Sequence, residues 1–413
     1  MTQSESQPRP RRAATVFIFI TIVLDVLALG MVIPVMPQLI THIGRLDERQ
    51  TASWLLVFAT TWAAMQLISS PVQGALSDRF GRRPVILASN FGMGANYLVM
   101  ALAPNLPLLF VGRLISGICS GSIPAAMAYL ADVNPPERRA ASFGLLGAAL
   151  SLGFAVGPAL GGLLGGLDAR APFWAAAGLS LLNFLYGTFV LPESLPRERR
   201  APLQLRHMNP VGAIRALLLT YPMIGGMLAV SALMSLAQMG PNNVFVLYTQ
   251  HRYAWGPPQV GLFMTGSGFA SMGVQMLLVQ PAVRRLGERR ALLIGGALQM
   301  TAFAILALAA TGTQFWMAIP LMCLASIGGP AWSSILSRTV GPSEQGLLAG
   351  ATTSLNSLTS IISPTLFITT YSAAIAPASV LPLGAPFWLA GLFMIGAISL
   401  AAWVTRPKPA MAV

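Results

Sequence analysis

Apolar residues dominate the chain in long runs, which short polar or proline-rich breaks separate. A membrane-spanning helix needs roughly 20 predominantly apolar residues, and the run over residues 14–31 approaches that length without a basic residue. A membrane β-strand would instead alternate apolar and polar positions over about ten residues. We therefore predict an all-α integral membrane protein with twelve transmembrane helices, over 15–40, 52–76, 84–103, 106–131, 141–165, 171–191, 212–238, 258–281, 290–310, 315–337, 347–372 and 384–405. The tract 242–250 is expected to extend the seventh helix beyond a break at Gly240 and Pro241.

Motifs in the first half of the chain return in the second half. Residues 136–158 resemble residues 342–364 at an offset of 206, and the Ala-Pro-Phe-Trp motif at 171–174 returns at 385–388. A weaker match aligns Gly81–Leu87 with Glu288–Ile294. Parallel repeats of this kind are typical of transporters that bind substrate between two halves. They predict a tail over 1–14, a six-helix half over 15–191, a linker over 192–211, a second six-helix half over 212–405 and a tail over 406–413.

Charged residues make up only 9% of the chain, against about 25% in a soluble domain, so the composition excludes a water-soluble protein. In such a protein the formal net charge of +13 would suggest a nucleic-acid partner. With the N-terminus in the cytoplasm, however, the cytoplasmic loops and tails hold 20 of the 25 basic residues and the opposite side holds four. Cytoplasmic loops of membrane proteins carry such an excess. We therefore predict that both termini face the cytoplasm and that no nucleic acid binds.

One of the twelve acidic residues, Asp25, lies deep inside an apolar run. An ionised carboxylate at the bilayer centre costs about 2.5–3.5 kcal/mol on insertion scales. Either Asp25 takes up and releases a proton during a transport cycle, or it forms a structural pair, for which Arg113 is the candidate. Arg113 itself either reaches the membrane interface or faces a polar cavity.

The loop between the second and third predicted helices carries the most specific motif, Gly74-Ala-Leu-Ser-Asp78-Arg79-Phe-Gly81-Arg82-Arg83-Pro84. Gly81 permits a tight turn, and Pro84 can open the next helix. Asp78 is unfavourable near a helix C-terminus unless it meets the loop arginines or another helix N-terminus. A contact of that kind can open and close as a gate, whereas the simpler interpretation is an ordinary charged turn.

Small residues line much of one face of the fifth predicted helix, which carries Gly147, Ser151, Pro158, Gly161, Gly162, Gly165 and Gly166. Small residues let membrane helices approach closely, and Pro158 removes a backbone hydrogen bond and favours a kink. The face either serves packing alone or forms a bendable seam that limits leakage, and these interpretations are compatible.

Polar side chains recur at helical spacing on several predicted helices, namely Trp62, Gln66, Ser69 and Gln73; Ser231, Ser235, Gln238 and Asn242; Gly268, Ser271 and Gln275; and Thr353, Asn356, Ser360 and Ser363. Each stripe either bonds a neighbouring helix or lines a water-filled cavity. Together they favour a central polar cavity with almost no fixed charge, which suits a moderately hydrophobic small molecule.

Signatures of catalysis are missing from the sequence. The three histidines, His42, His207 and His251, fall in predicted loops, and no His/Cys cluster supports zinc. No nucleotide-binding loop is present, and Lys408 is the sole lysine. We therefore expect no enzyme activity, no metal and no cofactor, and transport driven by a gradient. Cys119 and Cys323 each lie in an apolar run, so a disulfide framework is not expected.

Taken together, these motifs resemble the major facilitator superfamily, and within it the bacterial tetracycline/proton antiporters, over nearly the whole chain. The resemblance is carried by Leu24-Asp25 with Gly30 and Pro34, the loop 78–84, Gly112-Arg113, Ala131-Asp132, Gly157-Pro158 with Gly161-Gly162, Ala171-Pro172-Phe173, Leu191-Pro192-Glu193-Ser194 and residues 286–291. It implies proton-driven export by alternating access in a bacterial inner membrane, by a monomer.

The resemblance also implies roles for individual residues. Asp25 and Arg113 would handle substrate or protons, and Asp78 with Arg82 or Arg83 would form a cytoplasmic gate that includes Gly74, Arg79 and Gly81. Gly153, Gly157, Pro158, Gly161 and Gly162 would form the motif found in antiporters rather than symporters. The substrate cavity would be lined by Gln66, Asn96, Gln238, Asn242, Ser271, Gln275, Gln299 and Asn356.

The chain departs from the tetracycline branch at three of these positions. Asn96 and Gln299 stand where that branch has acids, and Ser271 stands where it has a histidine. Amide side chains form hydrogen bonds but do not titrate near neutral pH. We therefore predict an exporter of small amphipathic drugs, tetracycline-like or otherwise. The rival interpretations are an uptake symporter or uniporter for a nutrient or metabolite, and a membrane receptor or embedded enzyme.

Overall fold

A computed structural model describes residues 12–200, 224–341 and 345–406. All regular elements in these ranges are helical. The chain divides into two compact units. The first unit contains Met1–Leu39 and Ala64–Met208, and the second contains Ile40–Ala63 and Asn209–Val413. The helix Glu48–Phe80 belongs to both, because its first half is part of the second unit.

Eight α-helices lie between residues 12 and 190. They are α1 (Arg12–Val32), α2 (Met36–Gly44), α3 (Glu48–Phe80), α4 (Arg82–Leu102), α5 (Leu106–Cys119), α6 (Ser122–Val133), α7 (Pro136–Leu167) and α8 (Ala171–Val190). A short 3-10 helix follows over Arg197–Arg199.

Nine further α-helices lie in the described ranges 224–341 and 345–406. They are α9 (Ile224–Tyr253), α10 (Pro257–Leu277), α11 (Val279–Leu286), α12 (Glu288–Leu308), α13 (Gly312–Trp316), α14 (Ala318–Ala325), α15 (Gly328–Ser337), α16 (Gln345–Ala374) and α17 (Ala385–Val404).

Among the described residues, eleven helical segments are long and apolar enough to cross a membrane. The remaining predicted span, 347–372, forms α16, which has the length but is not one of these segments. Its stripe of Thr, Ser and Asn side chains lowers its mean hydropathy. Every predicted span thus contains a helix, and the all-helical membrane architecture is confirmed.

Four predicted spans differ in continuity from the expected single helices. The first is divided by a turn over 33–35, the fourth by Ser120 and Gly121, the eighth at Leu278, and the tenth at Met317 and over 326–327. The expected break at Gly240 and Pro241 is wrong, because α9 continues through both residues to Tyr253. A proline leaves only one carbonyl of the preceding turn without its helical donor, and membrane helices tolerate this.

Several predicted segments lie outside the described residues. These are residues 1–11 of the N-terminal tail, 201–211 of the linker, 212–223 of the seventh span, 342–344 of the repeat motif and 407–413 of the C-terminal tail. The predicted domain boundaries stay a prediction.

In the first unit, α1 packs against α7 with almost no side chain between the backbones. A Cβ atom on Gly157 would lie 2.8 Å from the carbonyl oxygen of Leu27, and one on Gly153 would lie 2.7 Å from Cβ of Val26. Gly30 on α1 meets Cα of Gly157 in the same way, at 3.1 Å. Gly161 lies against the backbone of Met31, and Gly162 is buried. This contact holds α1, which carries Asp25, at a fixed depth.

The second unit has a core rich in aromatic side chains. Tyr248, Phe263, Phe315, Phe367 and Phe387 are buried together. Phe315 lies 5.3 Å from Phe263 and 5.9 Å from Tyr248 between ring centroids, within the range of favourable ring pairs. Ala52 of α3 belongs to the same core, which explains why the first half of α3 belongs to this unit.

The two halves repeat each other in detail. The helices α4 and α12 both have 21 residues and start 206 positions apart, at Arg82 and Glu288. Each follows a glycine with positive φ, 109° at Gly81 and 76° at Gly287. The structural equivalence therefore pairs Gly81 with Gly287, and the sequence alignment of Gly81 with Glu288 is wrong by one residue.

Candidate functional site

Asp25 lies midway along α1 in the first unit, where it is partly buried. Its Oδ1 accepts a hydrogen bond of 2.9 Å from Nδ2 of Asn183 on α8. Its Oδ2 is buried without a hydrogen-bond partner among the described residues. Ser122 lies beside the same carboxyl group, because the interruption at Gly121 starts α6 at that level. Asn183 therefore holds one oxygen of the carboxylate, and the other oxygen has no hydrogen-bond partner among the described residues.

The side-chain hydrogen bond to Asp25 comes from Asn183, and the pairing of Asp25 with Arg113 stays a prediction. Tyr97 of α4 lies within electrostatic reach of both charges, and its hydroxyl is buried without a hydrogen-bond partner among the described residues. Arg113 is partly buried on α5. Tyr97 is thus a common neighbour of Asp25 and Arg113, the two residues predicted to handle protons.

Further amides are buried near this cluster in α4. Asn90 and Asn96 are 1% and 0% exposed, and neither side-chain amide has a hydrogen-bond partner among the described residues. Asn96 also lies 3.1 Å from the position of a Cβ atom on Gly112. Its assignment to the substrate cavity stays a prediction, since the side chain is closed off from open space in this conformation.

Arg82 is the centre of an ion-pair network at the turn between α3 and α4. Its Nη1 contacts Oδ1 of Asp78 at 2.5 Å, and its Nε contacts Oδ2 of Asp132 at 3.1 Å. The hydroxyl of Ser77 also accepts from Nη1, at 3.2 Å. Asp78 therefore meets a loop arginine, which is the arrangement that offsets its unfavourable place at the end of α3.

Glu193 completes this network from the segment after α8. Its Oε1 accepts hydrogen bonds from the backbone N–H groups of Arg82, Ser194 and Leu195, at 2.9, 3.0 and 3.1 Å. A carboxylate at the first turn of α4 also complements the helix dipole. The Glu193 side chain fills the space where Gly81 would carry a Cβ atom, so a side chain at position 81 is excluded by both backbone angle and space.

The other predicted gate residues have different surroundings. Arg83 donates a hydrogen bond of 2.6 Å from Nη2 to the carbonyl oxygen of Thr188, so Arg82 rather than Arg83 pairs with Asp78. Arg79 is exposed and lies over the ring of Phe80, with 5.3 Å between Cζ and the ring centroid. Gly74 has no neighbouring atom within 4 Å of a Cβ position.

The second unit presents a row of polar side chains on α9 and α16. Oγ of Ser235 donates to Oδ1 of Asn356 at 2.7 Å, and Nδ2 of Asn243 donates to Oγ of Ser363 at 3.0 Å. Nε1 of Trp332 donates to Ser231 at 2.8 Å. Four predicted cavity residues remain exposed although they lie inside long helices, namely Gln238, Asn242, Gln275 and Asn356. Part of each stripe therefore joins helices, and part faces open space.

The remaining predicted cavity residues are partly exposed. Gln66 lies on α3 and Gln299 on α12. Ser271 on α10 lies 3.4 Å from Sγ of Cys323. Gln73, from the same stripe as Gln66, instead contacts the carbonyl oxygen of Ile118 and accepts from Ser89 at 3.4 Å, which is a packing role.

A second ionisable cluster lies in the second unit, where the sequence predicted none. Oε2 of Glu48 lies 2.6 Å from Nδ1 of His251, and its Oε1 accepts from the hydroxyl of Tyr371. The predicted loop position of His251 is wrong, because it lies in the last turn of α9; His42 likewise lies in α2, and His207 lies outside the described residues. The cluster joins the start of α3 to α9 and α16.

The ionisable chemistry of the first unit is not repeated in the second. At an offset of 206, Tyr97 corresponds to Phe303 and Arg113 to Ile319. Three charges of the network around Arg82 are inverted at this offset, since Asp78, Arg82 and Asp132 correspond to Arg284, Glu288 and Arg338. Oε1 of Glu288 contacts Nη2 of Arg338 at 2.9 Å. The repeat conserves an ion pair at this place but not its polarity.

No group of three or more His, Cys, Asp or Glu side chains in the described ranges is arranged to hold a metal ion. The first unit holds the carboxyl group of Asp25 and the charged α3–α4 turn, and the second unit holds the polar face of α9 and α16.

A family model supplies the deciding comparison. Residues 18–364 match the model described as Major Facilitator Superfamily. The chain belongs to the Major Facilitator Superfamily. It is therefore a multi-pass membrane transporter of small molecules and not an enzyme, as the sequence predicted.

Relatives within the Major Facilitator Superfamily carry drug-resistance names. The tetracycline resistance protein, class C, of Escherichia coli is 39% identical over 365 residues, which cover 87% of this chain and 90% of the relative. Multidrug resistance protein 2 of Bacillus subtilis (strain 168) is 29% identical over 363 residues, with 85% and 88% covered. Among solved structures, the nucleoside transporter NupG matches with a TM-score of 0.76 at 12% identity, covering 96% of this chain and 100% of NupG. That last likeness concerns the fold alone.

Proposed function

We propose that the protein is a proton-coupled antiporter that exports small amphipathic drugs from the cytoplasm of a bacterium through its inner membrane. The observation that carries this proposal is the state of Asp25, a carboxyl group inside a membrane helix with a neutral partner and one unengaged oxygen. A carboxylate in a membrane is costly, and a hydrogen bond from the neutral amide of Asn183 offsets only part of that cost. Exchange of a proton accounts for its presence.

The choice of cargo rests on the relatives and on the second unit. Proteins named for tetracycline and multidrug resistance match most of the chain. The exposed amides of α9, α10 and α16 offer hydrogen bonds without fixed charge, which suits amphipathic compounds. With Asn96 and Gln299 unable to titrate near neutral pH, we propose a cargo that need not be cationic.

The transport cycle follows from these placements. Asp25 takes up a proton from the outer side, and neutralisation favours the conformation that accepts drug from the cytoplasm. Release of the proton to the cytoplasm then accompanies export. Asp78 and Arg82 act as the gate at the cytoplasmic end, where the positive-inside rule puts the α3–α4 turn. The glycine contact between α1 and α7 serves as the seam that limits leakage, and the unit of transport is a monomer.

Export can be tested with the purified protein in proteoliposomes. An imposed proton gradient, acidic inside, should drive accumulation of a fluorescent amphipathic drug in vesicles whose inserted orientation exposes the cytoplasmic face outward. A growth-inhibition panel across drug classes, with and without expression, would identify the compounds to use. Uptake of solute together with protons, in the same direction, would contradict the proposal and favour a nutrient symporter.

A further inference from the structure

The buried amide of Asn183 is a second chemical group at the Asp25 site that the sequence analysis did not find. We propose that Asn183 is a positioning residue for proton exchange, which holds Oδ1 of Asp25 and leaves Oδ2 as the atom that gains and loses the proton. This inference rests on the proposed function, because it assigns a role within the same proton cycle.

The orientation of the Asn183 amide is fixed by its contacts. Asn183 is 0% exposed on α8. Its Nδ2 donates to the carbonyl oxygen of Thr21 at 3.1 Å and to Oδ1 of Asp25 at 2.9 Å. A carbonyl oxygen only accepts hydrogen bonds, so a flipped amide would place its oxygen against two acceptors. The nitrogen must therefore face α1, and both of its N–H groups are used there.

The two oxygens of Asp25 are consequently unequal. Oδ1 accepts the amide N–H, whereas Oδ2 is buried without a partner among the described residues. A proton on Oδ1 would face the N–H group of Asn183, which is also a donor. The proton therefore binds Oδ2. The neutral acid then keeps its carbonyl oxygen toward Asn183, and the hydrogen bond persists in both protonation states. A cationic partner would instead stabilise the anion alone and hold the proton off.

The other neighbours of Asp25 are consistent with different roles for its two oxygens. Tyr97 of α4 lies within electrostatic reach of both Asp25 and Arg113. Ser122 comes from α6, and α7 contributes glycine backbone along its contact with α1. The hydroxyl of Ser122 rotates, whereas the amide of Asn183 is held in orientation by its second contact with Thr21.

Packing alone does not demand an amide at this position of the fold. The Ala-Pro-Phe-Trp motif aligns α8 with α17 at an offset of 214. In this alignment Ala397 corresponds to Asn183. Ala397 is 1% exposed, so the equivalent buried position in the second unit is filled by an apolar side chain. The amide in the first unit is therefore explained by its hydrogen bond to Asp25 rather than by packing.

Asn183→Leu removes the donor and keeps the number and branching of the side-chain heavy atoms, and Asn183→Gln tests rescue by a displaced amide. We measure drug-driven proton exchange in proteoliposomes across external pH. A lost donor favours the neutral acid, so the half-maximal pH of exchange in Asn183→Leu should rise by about one unit. The maximal rate should fall several-fold at neutral pH, because proton release slows. Asn183→Gln should lie between this variant and the wild type.

Controls separate positioning from packing. Ser180→Ala removes a buried hydroxyl one turn earlier on α8 and should leave the pH profile in place. In the Asp25→Asn background, Asn183→Leu should change proton exchange no further. If Asn183→Leu does not insert or fold, the profile of Asn183→Gln decides, and its coincidence with the wild-type profile overturns the proposal.

The failures of the two proposals are distinguishable. A wild-type pH profile in Asn183→Leu, with coupling lost in Asp25→Asn, would overturn the positioning role and leave the proposed function intact. Unchanged coupling in Asp25→Asn would overturn both.

Discussion

At the scale of single residues, Arg82 is the most constrained charge of the first unit. Its side chain is 13% exposed and contacts two carboxylates and a hydroxyl. Removing a partner from such a network leaves the other charges unpaired, and the cost exceeds that of losing a surface pair. Arg79, three residues earlier, is exposed and contacts only the ring of Phe80 among described side chains.

Arg82→Gln should therefore destabilise the protein by about 1–2 kcal/mol, a value that allows for the half-exposed Asp78. It should appear as a lower midpoint of thermal unfolding in detergent. Arg79→Gln, the matched control, should change the midpoint little. Equal effects of the two substitutions would show that the network around Arg82 contributes nothing special.

The inverted counterpart of this network supplies a second comparison. Arg338 is 75% exposed in its contact with Glu288, so solvent screens that pair more strongly. Glu288→Gln should cost less stability than Arg82→Gln, although the two positions are structurally equivalent. A larger loss for Glu288→Gln in the same unfolding assay would contradict this ranking.

At the scale of elements, the contact between α1 and α7 depends on glycines that face a neighbouring backbone. A Cβ atom on Gly157 would lie 2.8 Å from the carbonyl oxygen of Leu27, whereas one on Gly147 of the same helix meets nothing within 4 Å. Substitution of Gly147 therefore measures the effect of helix propensity alone, whereas substitution of Gly157 also measures the effect of helix packing.

Gly157→Ala and Gly147→Ala should change stability in opposite directions. Alanine favours the helix by about 1 kcal/mol over glycine, so Gly147→Ala should raise the unfolding midpoint. Gly157→Ala forces two backbones apart and should cost about 1–3 kcal/mol. It should also slow transport, since α1 carries Asp25. A neutral or stabilising Gly157→Ala would mean that the helices are not in close contact.

The starts of α4 and α12 make a similar pair. Gly81 and Gly287 both have φ and ψ values of a region that is nearly glycine-only, at 109° and 161° and at 76° and 157°. Alanine at either position should cost about 1–3 kcal/mol. Gly81→Ala should cost more, because it also displaces Glu193, whereas Gly287 has open space around it. A larger loss of thermal stability in Gly287→Ala would contradict this explanation.

At the scale of the whole molecule, the sequence predicted the helices better than their interruptions. Each apolar run is long and contiguous in the sequence, so each span could be located from composition. The interruption at Ser120 and Gly121 depends instead on Gln73 of α3, which fills the space beside Gly121. The uninterrupted passage of α9 through Pro241 likewise depends on buried neighbours such as Phe367 beside Gly240.

The same limit applies to the site. Asp25 and the charged loop were found because an acid in an apolar run and a dense local motif are visible in one dimension. Asn183 is 158 residues from Asp25, and Glu48 is 323 residues from Tyr371. Single polar residues so far apart give no signal until the helices pack. Asp132 and Glu193 lay within recognised motifs, but only the fold joins them to Arg82.

The orientation of the chain is a prediction at this scale. A cytoplasmic C-terminus follows from the placement of 20 of the 25 basic residues under the positive-inside rule. A green fluorescent protein fused to the C-terminus should fluoresce, and an alkaline phosphatase fusion at the same place should be inactive. The reverse pattern would invalidate the proposed side of the Asp78–Arg82 gate.

The most direct test of the central claim is proton movement by Asp25→Asn in proteoliposomes of known protein content. Addition of a transported drug to the wild type should release protons that an internal pH dye records, whereas Asp25→Asn should release none while it still inserts, folds and binds drug. Drug-stimulated proton release at the wild-type rate in Asp25→Asn would contradict the account.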